Sequence, residues 1–343
     1  MGVSQLPVEP LDFAFVTIPF LIAAVAAAGW VFIDSGSRGV GGGRLSVRLS
    51  WVLATFLLLP IALALYLLVG RPIGDLVTCP TCHRLTLNTR SVCARCASPI
   101  AAGAPPTIWG FGDVLGVVLL FVFFIVVVFD ATALYGELVS LKAISLFVLV
   151  QNALLTALVL YVVRMRYRQP LTALGMQWAP TPPIIALGVV GSVAALPLSA
   201  LAEGAGRFII GRFIGPAQAE ALAASEQARN HLLAVLRTPL TPGEIAWLFA
   251  LVCVIVPIGE EIFFRGFIYG VLRARLRLPL AVGSSALLFA VVHTTWFHFL
   301  PILILGLILA ILYERTRTLL PGIVVHSVNN VVALLAVLYR WDL

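Results

Sequence analysis

Long apolar segments separated by short polar ones dominate the hydrophobic pattern of this 343-residue chain. Most of them reach the roughly 20 residues that a helix needs to cross the hydrocarbon core of a bilayer. The pattern therefore predicts an all-α, polytopic transmembrane bundle with about eight or nine spans. The predicted spans are residues 11–33, 51–70, 107–129, 139–163, 183–201, 241–273, 280–299, 300–313 and 319–339.

Composition supports this interpretation and excludes a soluble globular protein. Hydrophobic residues make up 61% of the chain and charged residues 11%, against roughly a quarter charged in soluble domains. The net charge of +7 comes from arginines in short segments between spans. We interpret these as topology signals, not as a nucleic-acid surface, and no nucleic-acid partner is expected. We expect a multi-pass protein of a prokaryotic inner membrane.

Orientation follows from where the arginines cluster. The clusters at residues 164–168, 273–277 and 315–317 fall on one side if nine spans alternate, and that side should be cytoplasmic. Three arginines, at positions 38, 44 and 48, contradict this orientation. A mixed segment at residues 203–242 is predicted to form interfacial or extramembrane helix.

Four cysteines form two pairs in one polar loop: Cys79 with Cys82, and Cys93 with Cys96, ten residues apart. This spacing predicts a tetrahedral four-thiolate site of the zinc-ribbon type, with Zn²⁺ as the expected ion. Two disulfides or a redox pair are the alternatives. A closed four-cysteine site leaves no position for a reactive water, so a structural or partner-docking role is expected. The predicted domains are residues 1–77 (a transmembrane pair), 78–98 (the cysteine loop) and 107–343 (the main bundle).

The sixth predicted span carries three charged residues in an apolar stretch: Glu260, Glu261 and Arg265. Each would cost a few kcal/mol at the bilayer centre if it faced lipid. Glu261 and Arg265 are spaced i, i+4 in the favourable order for a helical ion pair. Glu260 is rotated by about 100° from Glu261, so it must face another group. A buried carboxylate without a cation suits a general base. The alternative is a packing ion pair, with Glu260 at the interface beside Arg273.

Two later spans also carry polar groups. His293 follows Phe289 by one helical turn, and His326 precedes Asn330 by the same spacing. The simplest explanation for polar groups on three apolar spans is that these groups line one common cavity. Glu260 and His293 could activate water for amide hydrolysis, while His326 and Asn330 could hold the oxyanion. The same four groups could instead bind a catalytic metal, but asparagine is a poor zinc ligand, so a metal-free reaction is preferred.

These motifs, E-E-x-x-x-R, F-x-x-x-H and H-x-x-x-N in that order, resemble the CPBP intramembrane proteases. That family includes the type II CAAX prenyl endopeptidases and bacteriocin-processing or bacteriocin-immunity proteins. The resemblance covers residues 241–339 and implies a glutamate-dependent cleavage inside the membrane. It implies catalytic roles for Glu260, His293, His326 and Asn330, with Glu261, Arg265 and Phe289 in support. The implied substrate is a membrane protein or a lipidated peptide.

Two other function classes remain open at the level of sequence. A non-catalytic membrane scaffold, or a bacteriocin-immunity or regulatory protein of the same fold, would keep the polar cluster without using it for hydrolysis. A transporter could use Glu260 and the histidines as a proton relay, although no internal repeat is evident.

Overall fold

The computed structural model describes residues 10–101, 103, 108–135, 140–177, 181–229, 231–236, 238–293 and 295–339. The chain divides into two compact units, Met1–Phe124 and Ile125–Leu343. The boundary falls inside a helix that runs from Phe111 to Tyr135. The division predicted at residues 77, 98 and 107 stays a prediction.

The first unit consists of apolar helices and one small antiparallel hairpin. Its elements are α1 (Pro10–Arg38), a 3₁₀ turn (Val40–Gly43), α2 (Leu45–Leu57), α3 (Ile61–Gly70), β1 (Leu76–Thr78), β2 (Leu85–Leu87) and the start of α4 (Phe111–Tyr135). The predicted span at residues 51–70 is broken between α2 and α3 at Pro60. Proline ends a helix readily because it lacks the backbone N–H that continues the hydrogen-bond pattern.

A buried ionic cluster holds the first unit together around Asp34. The Asp34 carboxylate accepts hydrogen bonds from Arg38 (3.0 Å), Arg71 (2.9 Å) and the Tyr66 hydroxyl (2.7 Å). Arg38 also donates to the Pro72 carbonyl, on the segment between α3 and β1. Arg38 is therefore a buried counterion of Asp34. Because its charge is neutralised within the protein, it no longer counts against the predicted orientation.

The second unit is a bundle of helices. Its elements are α5 (Leu141–Arg166), a 3₁₀ turn (Leu171–Leu174), α6 (Pro182–Ile214), α7 (Pro216–Arg229), α8 (His231–Leu236), α9 (Pro242–Arg273), α10 (Leu278–Val292), α11 (Phe299–Thr316) and α12 (Leu320–Leu338). Helix α11 packs between α10 and α6, and α12 packs on α6 and on α9. Small residues permit close packing: a Cβ at Gly306 of α11 would lie 3.0 Å from the Ala286 Cα of α10.

Six helices in the described part of the chain are long and apolar enough to cross a membrane, and four further apolar helices are shorter. The prediction of a helical integral membrane protein is confirmed. The count of eight or nine spans is approximate, because Pro60 divides one predicted span, α10 has only 15 residues, and the described apolar part of the 25-residue α4 is Phe111–Val127. Helix α6 continues to Ile214, so the first part of the segment predicted to be interfacial extends a long apolar helix.

The start of helix α9 and its two widened turns follow from features of its sequence. The Thr241 hydroxyl accepts from the Glu244 N–H, and the Glu244 carboxylate accepts from the Thr241 N–H, which closes a capping box before Pro242. Wide π-helical turns at Leu251–Ile255 and Ile262–Tyr269 flank the segment that carries both glutamates. The first precedes Pro257, which has no N–H to donate. Such turns occur frequently at functional sites.

Candidate active site

Glu261 and Arg265 form a fully buried ion pair on α9. Arg265 Nη1 lies 2.9 Å from Glu261 Oε1, and both side chains are almost completely shielded from solvent. Arg265 Nη2 also donates to the Gly306 carbonyl of α11 at 3.3 Å. The guanidinium is thus a charged link between two helices, held by a carboxylate and by a backbone dipole.

Glu261 has a second partner that sequence spacing could not indicate. His326 Nδ1 of α12 lies 3.2 Å from the same Oε1 atom that pairs with Arg265. Helix α12 comes this close because Gly322 has no side chain: a Cβ there would lie 2.9 Å from Glu261 Oε2. Glu261 therefore contacts an arginine and a histidine at once, and it fixes the ring of His326.

Glu260 faces both histidines. Its Oε2 atom lies 3.7 Å from His326 Nε2 and 4.0 Å from His293 Nε2. The Glu260 side chain is 23% exposed, whereas that of Glu261 is buried. The two neighbouring glutamates thus occupy different environments: Glu261 is held in an ion pair, whereas the Glu260 Oε2 atom that faces the imidazoles is buried without a hydrogen-bond partner among the described residues.

Hydrogen-bond partners assign the tautomers of both rings. His293 Nδ1 lies 2.7 Å from the Phe289 carbonyl oxygen, which can only accept, so Nδ1 must carry the proton. The same reasoning places a proton on His326 Nδ1, opposite the Glu261 carboxylate. The Nε2 atoms of both rings are therefore directed at Glu260. Second partners of this kind commonly set which imidazole nitrogen is available for chemistry.

Phe289 occupies the centre of the cluster. Its ring lies under the Arg265 guanidinium, 4.4 Å from the centroid, and contacts the rings of His293 and His326 at centroid distances of 4.7 and 5.6 Å. The aromatic face stabilises the cation, and the ring fills the space between the two imidazoles. The structure thus explains why a phenylalanine belongs to the predicted set.

The position of His293 differs from the one predicted. The sequence pattern places it inside a span at residues 280–299, but α10 ends at Val292 and His293 is its C-terminal cap. The His293 N–H bonds to the Ala290 carbonyl, a tightened last turn typical of helix ends. Among the residues that the structure describes, the backbone and side-chain hydrogen bonds of His293 lead to its N-terminal side.

Asn330 lies on the same helix as His326, but its hydrogen bond leads elsewhere. Asn330 Nδ2 donates to the Val252 carbonyl at 2.9 Å, in the first π-helical turn of α9. A widened turn leaves backbone carbonyls free to accept from side chains. Asn330 thus fastens α12 to α9, and its amide keeps one further N–H.

Asn152 of α5 is a neighbour of the site that the motifs did not include. It is buried, its amide donates to the Val148 carbonyl, and its Oδ1 atom lies directly against Gly259, where a Cβ would clash. A polar residue inside an apolar helix was the available signal. Gly259 is required here because any side chain would displace Asn152 from the backbone next to Glu260.

The four cysteines of the first unit come together as their spacing predicted. All four Sγ atoms lie within 4.8 Å of one another, with Cys79 and Cys96 at 3.7 Å and Cys82 and Cys93 at 3.8 Å. Zinc–sulfur bonds of about 2.3 Å in a tetrahedron separate sulfur atoms by about 3.8 Å. The four thiols fit a metal ion, and in this structure they are free cysteines.

Both cysteine pairs share one backbone conformation. The N–H of His83 bonds to the Cys79 carbonyl, and that of Ala97 bonds to the Cys93 carbonyl, each at 3.0 Å. His83 and Ala97 both adopt positive φ, near 53° and 58°. The N–H groups of Cys96 and Arg95 lower the pKa of the Cys93 thiol to about 6. Thiolate is the form that binds metal, so the turn favours Cys93 as a ligand, whereas the neighbouring thiols raise the pKa of Cys82 to about 11.

Comparisons with known proteins agree with the motif set. Residues 242–332 match the model of the family described as type II CAAX prenyl endopeptidase Rce1-like. The UPF0177 protein YxdF of Lactococcus lactis subsp. lactis (strain IL1403) is 37% identical over 79 residues, 22% of this chain and 42% of that protein. The chain thus covers less than half of that relative. No solved structure matches the chain. The predicted resemblance is confirmed, and the segment with all seven motif residues is similar to the type II CAAX prenyl endopeptidase Rce1-like proteins.

Proposed function

We propose that this chain is an intramembrane endopeptidase that hydrolyses peptide bonds of membrane-associated or lipidated substrates. The observation that supports this most directly is the convergence of Glu260 with His293 and His326. Three polar side chains from three separate elements face one another in an otherwise apolar bundle. Such groups are costly in a membrane and usually mark a functional site.

The distances in this cluster suit a bridging water. A water that makes hydrogen bonds of about 2.8 Å can span gaps of 3.7 and 4.0 Å between carboxylate and imidazole. Glu260 takes one proton from this water. His293 Nε2 accepts a hydrogen bond from the remaining O–H and so directs the water oxygen. The oxygen attacks the substrate carbonyl carbon. When the C–N bond breaks, the proton on Glu260 passes to the leaving amine.

The developing oxyanion needs donors, and His326 and Asn330 supply them in this scheme. A proton on His326 Nε2 would make the ring a cation, and Glu261 opposite Nδ1 stabilises that charge. The charges then balance, because two carboxylates face Arg265 and one imidazolium. The second N–H of Asn330 is the other donor. Catalysis in this scheme requires no metal.

The similarity to type II CAAX enzymes suggests the substrate class: a peptide with a prenylated cysteine near its C-terminus. The bacterial source of the curated relative supports a location in a prokaryotic inner membrane. We also propose that the cysteine loop docks a partner protein, because a closed four-thiolate site leaves no open position for catalysis.

Purified protein in lipid vesicles should cleave a peptide that ends in a farnesylated cysteine followed by three residues. Mass spectrometry of the products would locate the cut. His293→Ala should lower the rate about 100-fold, because the water loses its orientation. An exposed control, His298→Ala, should keep full activity. Equal rates for His293→Ala and the parent protein would refute the mechanism. A parent protein that cleaves nothing, and whose cellular function is lost with Cys79→Ser but kept with Glu260→Gln, would favour the scaffold alternative.

We further propose that the four cysteines hold one structural zinc ion. The sulfur separations support this, since a closed thiolate tetrahedron is the preferred zinc geometry. Purified protein should contain one zinc per chain by elemental mass spectrometry. Cys79→Ser should reduce that content to near zero, whereas Cys253→Ser, a change in an apolar helix, should not. Iron in place of zinc would overturn the assignment.

A further inference from the structure

The loop between α10 and α11 is tied to a distant helix by one carboxylate. Glu226 of α7 accepts from the Trp296 N–H through Oε1 at 2.8 Å and from the Phe297 N–H through Oε2 at 3.5 Å. Glu226 lies outside the segment that matches the family model, residues 242–332. No motif pointed to it.

The two N–H groups lie just before the first turn of α11. Backbone N–H groups near the start of a helix lack acceptors within the helix, and the positive end of the helix dipole attracts a carboxylate. Phe297 is buried and its carbonyl lies near Gly206 of α6, so the loop is also packed against that helix. Glu226 therefore fixes the backbone of Trp296 and Phe297 with two hydrogen bonds to one charged group.

The hydrogen bonds to Glu226 matter for His293 because α10 ends at Val292, immediately before it. The backbone N–H of His293 bonds to Ala290, and its Nδ1 bonds to Phe289, so both anchors lie on its N-terminal side. On the other side, only two residues of sequence separate His293 from Trp296, whose N–H Glu226 holds. The direction in which the chain leaves His293 influences where Nε2 points, 4.0 Å from Glu260.

We propose that Glu226 is a positioning residue that holds His293 in register with Glu260 through the Trp296–Phe297 backbone. This inference rests on the proposed protease function, in which His293 orients the attacking water. Small displacements of a catalytic group can cost up to about 100-fold in rate. Glu226 itself is half-buried and lies on α7, outside the segment that carries the motif residues.

Kinetics and hydrogen exchange test the inference together, with the farnesylated peptide as probe. Glu226→Ala should lower kcat about tenfold and leave KM within about twofold, because a misplaced His293 orients the water poorly and so affects chemistry more than binding. Glu226→Gln should recover most of the rate, since its amide oxygen still accepts from one N–H. In Glu226→Ala, amide exchange should accelerate in peptides that contain Trp296 and Phe297. Glu220→Ala, an exposed change on the same helix, should alter none of these quantities.

The exchange measurement and the kinetic measurement can each contradict the inference. Unchanged exchange in Glu226→Ala would show that the carboxylate does not hold the loop. Faster exchange with an unchanged kcat would show that the loop does not position His293, and a change in KM alone would indicate a substrate contact instead. The parent protein could cleave nothing while amide exchange at Trp296 and Phe297 still accelerates in Glu226→Ala. The proposed protease function would then be wrong, but Glu226 would still be shown to hold the loop.

Discussion

Replacing Glu260 by glutamine should reduce cleavage of the farnesylated peptide by about 1,000-fold, the loss expected when a general base is removed. Glutamine has nearly the shape of glutamate but cannot take a proton from water. Its Oε1 can still accept hydrogen bonds from a water between the two imidazoles. Substrate binding should therefore persist while chemistry stops, which predicts a large loss in kcat and little change in KM.

A matched substitution separates this effect from a general loss of charge. Glu220→Gln removes the same charge from the exposed face of α7 and should leave kcat unchanged. Thermal unfolding in detergent should be similar for the parent and Glu260→Gln proteins, because the replaced carboxylate is partly exposed and outside the buried ion pair. A fully active Glu260→Gln variant would show that Glu260 is not the general base and would refute the proposed mechanism.

Local features of the site could be predicted because they depend on helical periodicity. The Glu261–Arg265 pair follows from a spacing of four residues, and the capping box at Thr241 follows from a spacing of three. The fold class follows from segment length and apolar composition. In each case the interacting groups lie on one helix, so a single sequence suffices.

Contacts between helices depend on rotation and crossing angle, which a single sequence does not specify. The bond from His326 to Glu261 and that from Asn330 to Val252 each join α12 to α9. The sequence placed Glu261 with Arg265 alone and left Asn330 free to hold an oxyanion. Close approach at Gly322 creates the first contact, and a π-helical turn supplies the acceptor for the second. Neither feature has a reliable sequence signal.

Glu261 contacts His326 as well as Arg265, so its ion pair can serve the chemistry of the site and not only helix packing. A residue that only neutralised Arg265 would serve packing, and any well-packed apolar pair could replace it. A residue that also holds His326 Nδ1 connects the stability of the bundle to the charge of a proposed oxyanion donor. Stability and activity should therefore respond differently to substitutions at Glu261 and Arg265.

Replacing Arg265 by methionine should destabilise the second unit by about 3–5 kcal/mol, because it leaves Glu261 buried without its main counterion. Methionine preserves much of the apolar volume of the arginine stem, so the loss reports charge more than packing. The measurement is reversible unfolding in mixed micelles, followed by tryptophan fluorescence. Arg207→Met is the control: Arg207 forms an i, i+4 pair with Glu203, but that pair is exposed, and its loss should cost about 0.5 kcal/mol or less.

The double variant Glu261→Gln with Arg265→Met distinguishes the two roles of Glu261. Removing both charges should restore much of the stability, since a buried pair is often replaceable by neutral residues. Activity should stay low, because a glutamine opposite Nδ1 cannot stabilise a charged His326. Recovery of both stability and activity would show that Glu261 serves packing alone. Recovery of stability without activity would mean that the same carboxylate that balances Arg265 also sets the charge of the imidazole facing Glu260.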